Sequence, residues 1–366
     1  MRKPKYYTNI KDVKGLSDEE KKNLAEVSEK YPFRANDFYL SLINWDDKND
    51  PIKRLIIPST DELMDWGDLD ASSEHLYTKA PGMEHKYKDT ALILVSQVCG
   101  GQCRYCFRKR IFLEGNEEII DDFSEAIEYI RNHKEINNVL LTGGDALILS
   151  TEKLKAIISA LREIEHVKII RLGSKMLAFY PFRVTEDPEL VQMLKEYSTR
   201  NKRIYLMAHF NNINEISEES IKAINILLKA GIIICNQAPL IVGINDNVDA
   251  LVKLFNKLSY LGVPPYYIFQ CRPTKGNFAY SVPIEKGYMI FNKAISKVSG
   301  LGKRARYMMS HKYGKIGIFG LDDEYIYMKF HRAANPDNYL RLLKMKRNNE
   351  ARWLDDYEDA LDQVAK

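Results

Sequence analysis

Cysteine is scarce in this chain, with five in 366 residues. So small and odd a number excludes a disulfide framework of the secreted type. Long apolar runs are missing too, and none approaches the length of a membrane-spanning helix. The start, Met1-Arg2-Lys3-Pro4-Lys5, is basic, but no apolar signal region follows it. Charge of one sign is not in excess: the net value of +4 gives no case for nucleic acid or an anionic membrane as partner. Internal repeats and low-complexity stretches are absent. The expectation is a cytoplasmic globular protein, and 45% hydrophobic with 28% charged residues is ordinary for one. The length can bury a large core, as one big domain with extensions or as two domains.

Three of the five cysteines stand together in Cys99-Gly100-Gly101-Gln102-Cys103-Arg104-Tyr105-Cys106, a C-x3-C-x2-C run. Three thiolates on one short loop can hold three irons of a 4Fe-4S cube and leave the fourth iron open to a small molecule. The plainer reading is structural zinc, which takes four ligands and usually two C-x2-C halves. Cys235 and Cys271 are isolated and distant, and no histidine sits in the loop, so the cluster reading is preferred. The apolar run Ala91–Ser96 just before the loop reads as a buried strand.

Residues 1–85 lack strand alternation and read as an N-terminal helical extension. Ser17 and Glu20 are spaced as a capping box. From Thr90, apolar β-rich runs alternate with helical stretches. The strands expected are 91–96, 138–142, 167–172, 203–209, 232–238 and 266–270, with helices near 121–134, 151–165, 188–196, 214–230, 246–262 and 284–299. Six such units predict an α/β fold, a parallel sheet curling into a partial (β/α)6 barrel of the TIM type over residues 86–300. Its active site belongs at the C-terminal strand ends. Residues 301–366 form a C-terminal extension completing the site, with β-like runs at 306–309, 315–319 and 325–329. Trp353, Tyr357, Leu361 and Val364 recur at helical spacing, which predicts an amphipathic helix. Such a helix docks on its own chain or, alternatively, joins two chains as a homo-oligomer.

The strand ends are rich in polar groups. Thr142-Gly143-Gly144-Asp145 ends the second strand. Its glycines permit close backbone approach, and Asp145 is either a carboxylate for an ammonium group or an N-cap. Ser174, His209, Gln237 and Arg272 end later strands. Each alone is as well read as a satisfied polar residue, while their joint placement favours a binding face. In Arg108-Lys109-Arg110 one member suits a carboxylate beside the cysteines, against the ordinary reading of a solvated basic run.

Together these residues resemble the lysine 2,3-aminomutase family of radical S-adenosylmethionine (SAM) enzymes. The resemblance spans Tyr39 to Asn338 and includes Pro81-Gly82-Met83-Glu84-His85, Leu141-Thr142-Gly143-Gly144-Asp145, His209-Phe210-Asn211 and Asn236-Gln237-Ala238. It implies an isomerase that reductively cleaves SAM to a 5′-deoxyadenosyl radical. That radical takes hydrogen from an amino acid held on pyridoxal phosphate (PLP), and the amino group migrates. It implies Cys99, Cys103 and Cys106 as cluster ligands. Tyr105, Gly143, Gly144, Asp145, Ser174, His209 and Gln237 fall at SAM, and Arg108 at the substrate carboxylate. An electron donor such as flavodoxin or ferredoxin is implied as partner, beside an amino-acid-like substrate.

The substrate side departs from the family pattern. Lys315 stands at the place of the PLP lysine, but the glycine run before it has shrunk to Gly314, and Lys312 competes for the role. The arginine expected nine residues before the first cysteine is Thr90. Of two aspartates that would bind a lysine ammonium, one is replaced by Arg272 and the other falls near Ser310. Arg272 suits a substrate with a second carboxylate, such as glutamate, or a modified amino acid. A PLP-free radical enzyme and, further off, a non-catalytic Fe-S protein are the alternatives.

Overall fold

A computed structural model describes residues 2–119, 121–358, 360 and 363. Two strands, β1 (Tyr6–Tyr7) and β2 (Ala35–Asn36), form a small antiparallel pair. The other twelve make one sheet whose spatial order follows the chain. They are β3 (Thr78–Ala80), β4 (Met83–Tyr87), β5 (Thr90–Ser96), β6 (Asn138–Gly143), β7 (Ile169–Ser174) and β8 (Arg203–Ala208). Then come β9 (Ile233–Pro239), β10 (Pro265–Phe269), β11 (Arg306–His311), β12 (Gly314–Leu321), β13 (Tyr325–Ala333) and β14 (Leu342–Lys346).

The pairs from β5 to β11 are parallel, and those beyond them on both sides are antiparallel. Each of β5 to β10 is followed by a helix, as the alternating pattern predicts. The helix Thr151–Arg162 buries Leu154, Ile157, Ile158 and Leu161, one stripe at helical spacing, and Ser150 caps it by accepting from the Lys153 N–H. Fully burying one such leucine is worth roughly 1.5–3 kcal/mol.

The sheet curls but does not close by strand pairing among the described residues. Side chains bridge its two flanks instead. Lys86 Nζ donates to the His311 carbonyl at 2.6 Å, and Tyr77 Oη to that of Lys312 at 2.6 Å. Arg332 reaches Asp89 and Thr90. The result is a partial barrel with an interior cavity that several charged side chains line.

Three expectations need correction. The stretch 1–85 is not simply helical. Its short helices (Asp18–Asn23, Ala25–Lys30, Asp37–Ser41, Pro51–Ile56) are followed by the hairpin β3–β4, which joins the main sheet. Met83-Glu84-His85-Lys86-Tyr87 lacks alternation because its last three side chains are only half-buried, Lys86 and Tyr87 at the cavity and His85 against Tyr129. The charged tail contains β14, whose two leucines, two lysines and methionine alternate exposed and buried. The stretch from Trp353 to Tyr357 forms a 3-10 turn, Leu354–Asp356, with both aromatics buried, while Ala360 and Gln363 beyond it are helical; Leu361 and Val364 lie outside the described residues. The Ser17–Glu20 capping box is present, with Glu20 N donating to Ser17 Oγ at 3.2 Å and Ser17 N to Glu20 Oε2 at 2.8 Å.

Candidate active site

All fourteen expected site residues line one cavity of about 310 Å³ inside the curl of the sheet. The three cysteines cover one end. Their loop is held through its backbone groups by hydrogen bonds with the N-terminal segment. Arg34 Nε donates to the Cys99 carbonyl at 2.9 Å, and Asn36 Nδ2 to that of Gly100 at 2.8 Å. Gln102 N donates to Arg34 O at 2.7 Å, and Arg104 N to Leu55 O at 2.9 Å. Arg104 itself is buried and forks onto Glu62 at 2.9 Å through both Nε and Nη2.

Among the described residues no three His, Cys, Asp or Glu side chains converge as the ligands of a single metal ion would. Three thiols around one cavity are instead the donor set of a polynuclear cluster, which fits the group the resemblance implies. Burial pushes the Cys103 thiol up to about 12 and raises Cys99 and Cys106 as well. The sulfurs become thiolates only when a metal takes the place of the protons.

The Gly143-Gly144 turn lies against the start of the cysteine loop. A Cβ on Gly144 would stand 2.3 Å from the Val98 carbonyl oxygen, and one on Gly143, at φ 113°, would stand 2.7 Å from that of Ser96. Asp145 N donates to Val98 O at 3.0 Å. The Asp145 carboxylate is turned to its own backbone, accepting from Leu147 N at 2.9 Å and Lys175 N at 2.6 Å, and burial pushes it up to about 6. Its present bonds are those of an N-cap and a brace between strand ends. Ser174 Oγ accepts from Met176 N, and Gln237 faces the cavity from β9.

His209 Nε2 lies 3.1 Å from Tyr105 Oη, which donates to Asn211 Oδ1 at 2.7 Å. Burial, helped by the Lys175 ammonium, holds His209 well below its usual range, so the ring is neutral. Lys175 makes a buried pair with Glu215 at 2.5 Å, and Tyr39 donates to the same carboxylate oxygen at 2.6 Å. This network joins the N-terminal segment, the cysteine loop and two strand ends. Sequence reading missed Glu62, Lys175 and Glu215 because each partner is remote along the chain.

The side wall carries a knot of charge. Glu74, from the segment before β3, accepts from Arg108 Nε and Nη2 at 3.0 and 2.9 Å, from Arg110 at 2.7 Å and from Arg272 at 3.4 Å. Arg272 also stacks 3.6 Å over the Phe107 ring. Three guanidinium groups hold Glu74 well below the usual carboxylate range. Glu84 lies 3.9 Å from Arg108, and burial beside the Glu74 charge pushes its carboxyl up to about 8. The basic run 108–110 is therefore not a solvated face, since Lys109 is buried on Glu62 as well. No strand pattern or motif marks Glu74 as a partner of Arg108, 34 residues along the chain.

At the end away from the cysteines, Lys315 Nζ rests on the rings of Tyr267 and Phe269 at 4.7 and 5.3 Å. Burial and the charges of Arg171, Arg332, Arg272 and Lys86 hold its amine well below the usual range. A neutral amine inside a cationic chamber fits a ligand with a carbonyl and negative charge, as PLP has. Gly314 is needed where it stands: at φ 154°, an added Cβ would meet the Arg332 carbonyl at 2.2 Å. Lys312 faces elsewhere, 3.8 Å from Asp355, and does not line the cavity. Ser310 lines it beside the Ser72 hydroxyl, which donates to the Ser310 carbonyl.

Comparison with known proteins follows the same lines. A family model for the radical SAM superfamily matches residues 93–255. A protein of Aquifex aeolicus named "Putative L-lysine 2,3-aminomutase" is 53% identical over 359 residues, 98% of this chain and 96% of its own length. L-lysine 2,3-aminomutase of Clostridium subterminale is 39% identical over 288 residues, 78% of this chain and 68% of its own. Glutamate 2,3-aminomutase of Clostridioides difficile is 37% identical over 288 residues, 78% of this chain and 67% of its own.

Proposed function

Because this chain belongs to the lysine 2,3-aminomutase family of the radical SAM superfamily, we propose that it is a PLP-dependent 2,3-aminomutase whose substrate carries an acidic or otherwise modified side chain rather than that of lysine. When bound, the cluster with SAM supplies a 5′-deoxyadenosyl radical, and PLP supplies the carbonyl on which an amino group can migrate. The protein's part is to hold the reactants and exclude water. Cys99, Cys103 and Cys106 hold the iron. Gly143, Gly144, Ser174, His209 and Gln237 line the SAM end, with Asp145 bracing the turn and Tyr105 orienting the neutral His209. Lys315 offers an unprotonated amine. Arg108 presents a guanidinium for the substrate carboxylate, with Glu74 as its partner in the meantime.

One observation carries the choice of substrate. Seven basic side chains line the cavity against three acidic ones, and none of the three is free for a substrate ammonium. Glu74 is gripped by arginines, Asp145 by backbone N–H groups, and Glu84 is held towards its protonated form. Arg272 sits at the same wall and favours a second carboxylate. A lysine substrate is the second reading. It is favoured by the names of the relatives and by Glu84, which an arriving ammonium would help to ionise.

The test is turnover by protein reconstituted with iron, sulfide and PLP, with dithionite and SAM, on a panel including glutamate and lysine. The proposal expects 5′-deoxyadenosine and a β-amino acid from a carboxylate-bearing substrate and none from lysine. Efficient lysine turnover overturns the substrate assignment. Absence of 5′-deoxyadenosine, with Cys103→Ala indistinguishable from the parent, overturns the whole reading. Arg272→Asp is expected to lower kcat/KM for the acidic substrate at least tenfold, about 1.4 kcal/mol or more.

A further inference from the structure

The end of the cavity around Lys315 holds more positive charge than the protein balances. Lys86, Arg171 and Arg332 line it around the Lys315 amine. Arg171 spends Nε on Asn138 Oδ1 at 2.8 Å, and its other nitrogens make no hydrogen bond within the described residues. Lys86 Nζ donates to a carbonyl, which carries no full charge. Lys315 has only aromatic rings beneath it. The carboxylate that pairs at this end is Asp89, on Arg332, and its side chain is 51% exposed against 21% for the arginine. Crowded cations in a poorly solvated chamber are costly unless an anion joins them.

Arg332 is placed to meet such an anion. It stands directly opposite Lys315 in the β12–β13 register, so the two are nearest neighbours across the strands. Its guanidinium lies 4.4 Å over the Tyr87 ring, and Nη1 and Nη2 each donate to Thr90 Oγ1 at 3.2 Å. It thus brings a guanidinium to the foot of β5, where the chain's own residue is a threonine.

We propose that Arg332, seconded by Arg171 and Lys86, is the anchor for the phosphate dianion of the cofactor, delivered from the C-terminal hairpin. The inference rests on the reading of Lys315 as the PLP lysine. A planar guanidinium makes paired, charge-assisted bonds to phosphate oxygens, and fixing the dianion at Arg332 would set the carbonyl end of the same ligand at Lys315.

The test uses pyridoxine 5′-phosphate, which has no aldehyde and cannot bond to Lys315, against unphosphorylated pyridoxine, by calorimetry on the full chain. The parent is expected to prefer the phosphate ester at least tenfold. Arg332→Gln should collapse that preference about tenfold or more while leaving pyridoxine affinity within twofold. Asp89→Asn, which breaks the same ion pair without removing the guanidinium, should keep the preference and controls for loss of structure. Lys315→Ala should also keep it, while losing the visible absorption of lysine-bound PLP. No phosphate preference in the parent, or a preference undiminished in a folded Arg332→Gln, overturns the anchor. Phosphate preference without any PLP absorption in the parent overturns the Lys315 reading and leaves the anchor standing.

Discussion

Glu84 and Lys315 are two ionisable groups kept in their neutral forms by the same cause, desolvation at the cavity wall. For Glu84 the consequence is a stability that falls with pH. Its folded-state pKa of about 8 stands above the unfolded carboxylate value, so its stabilising contribution is full below about 4.5 and lost as pH rises towards 8 and beyond. The slope is at most about 1.4 kcal/mol per pH unit for one group. Glu84→Gln should flatten denaturant-unfolding free energy between pH 5 and 9, and a parent-like decline in the variant would contradict this. For Lys315 the consequence is kinetic. An exposed lysine gains free amine about tenfold per pH unit below its pKa. Capture of PLP by this chain, followed by absorbance, should rise less steeply than that from pH 7 to 9. A hundredfold rise would mean an ordinary, solvated lysine. Neither effect could be read from the sequence, because desolvation depends on what surrounds a group and not on its chain neighbours.

At the scale of elements, the cysteine loop and the glycine turn act as one unit. The turn at the end of β6 packs its backbone against Ser96 and Val98, which lead into Cys99. The glycines are therefore required by a protein contact, whatever small molecule also comes near. Gly144→Ala places a methyl into the Val98 backbone, which cannot move aside as a flexible side chain would. Thermal unfolding should reveal a loss of about 1–3 kcal/mol, and the iron bound per chain after reconstitution should fall with it. Parent-like iron content and stability would separate the two elements. The elements that escaped the sequence, β3–β4 and β14, share a cause. Strand patterns are visible when one face is apolar. Glu84 and Lys86 instead turn charged side chains into the cavity, and β14 is a short edge strand whose exposed positions are Leu342, Lys344 and Lys346.

Over the whole molecule, the N-terminal segment is part of the wall of the candidate site. It grips the cysteine loop through Arg34, Asn36 and Leu55, supplies Tyr39 to the Lys175–Glu215 pair, and brings Glu74 to Arg108 and Arg272. Its tie to the loop runs through the fully buried Arg104–Glu62 pair. Arg104→Ala strands Glu62 without its main counter-charge and should cost roughly 3–5 kcal/mol in denaturant unfolding. A loss under about 1 kcal/mol would mean that the segment is not fastened there. By itself the sequence determined the chemistry of radical generation and the strand-helix alternation, because three close cysteines and periodic apolar stripes are local patterns. It also singled out Lys315 and Arg108 as candidates, and both line the cavity. Only the tertiary structure decided what those residues meet. Glu74 sits on Arg108 and Arg272, and Arg332 stands beside Thr90 and opposite Lys315. Charge balance in a cavity is set by groups converging from distant strands, and only the curl of the sheet brings them together.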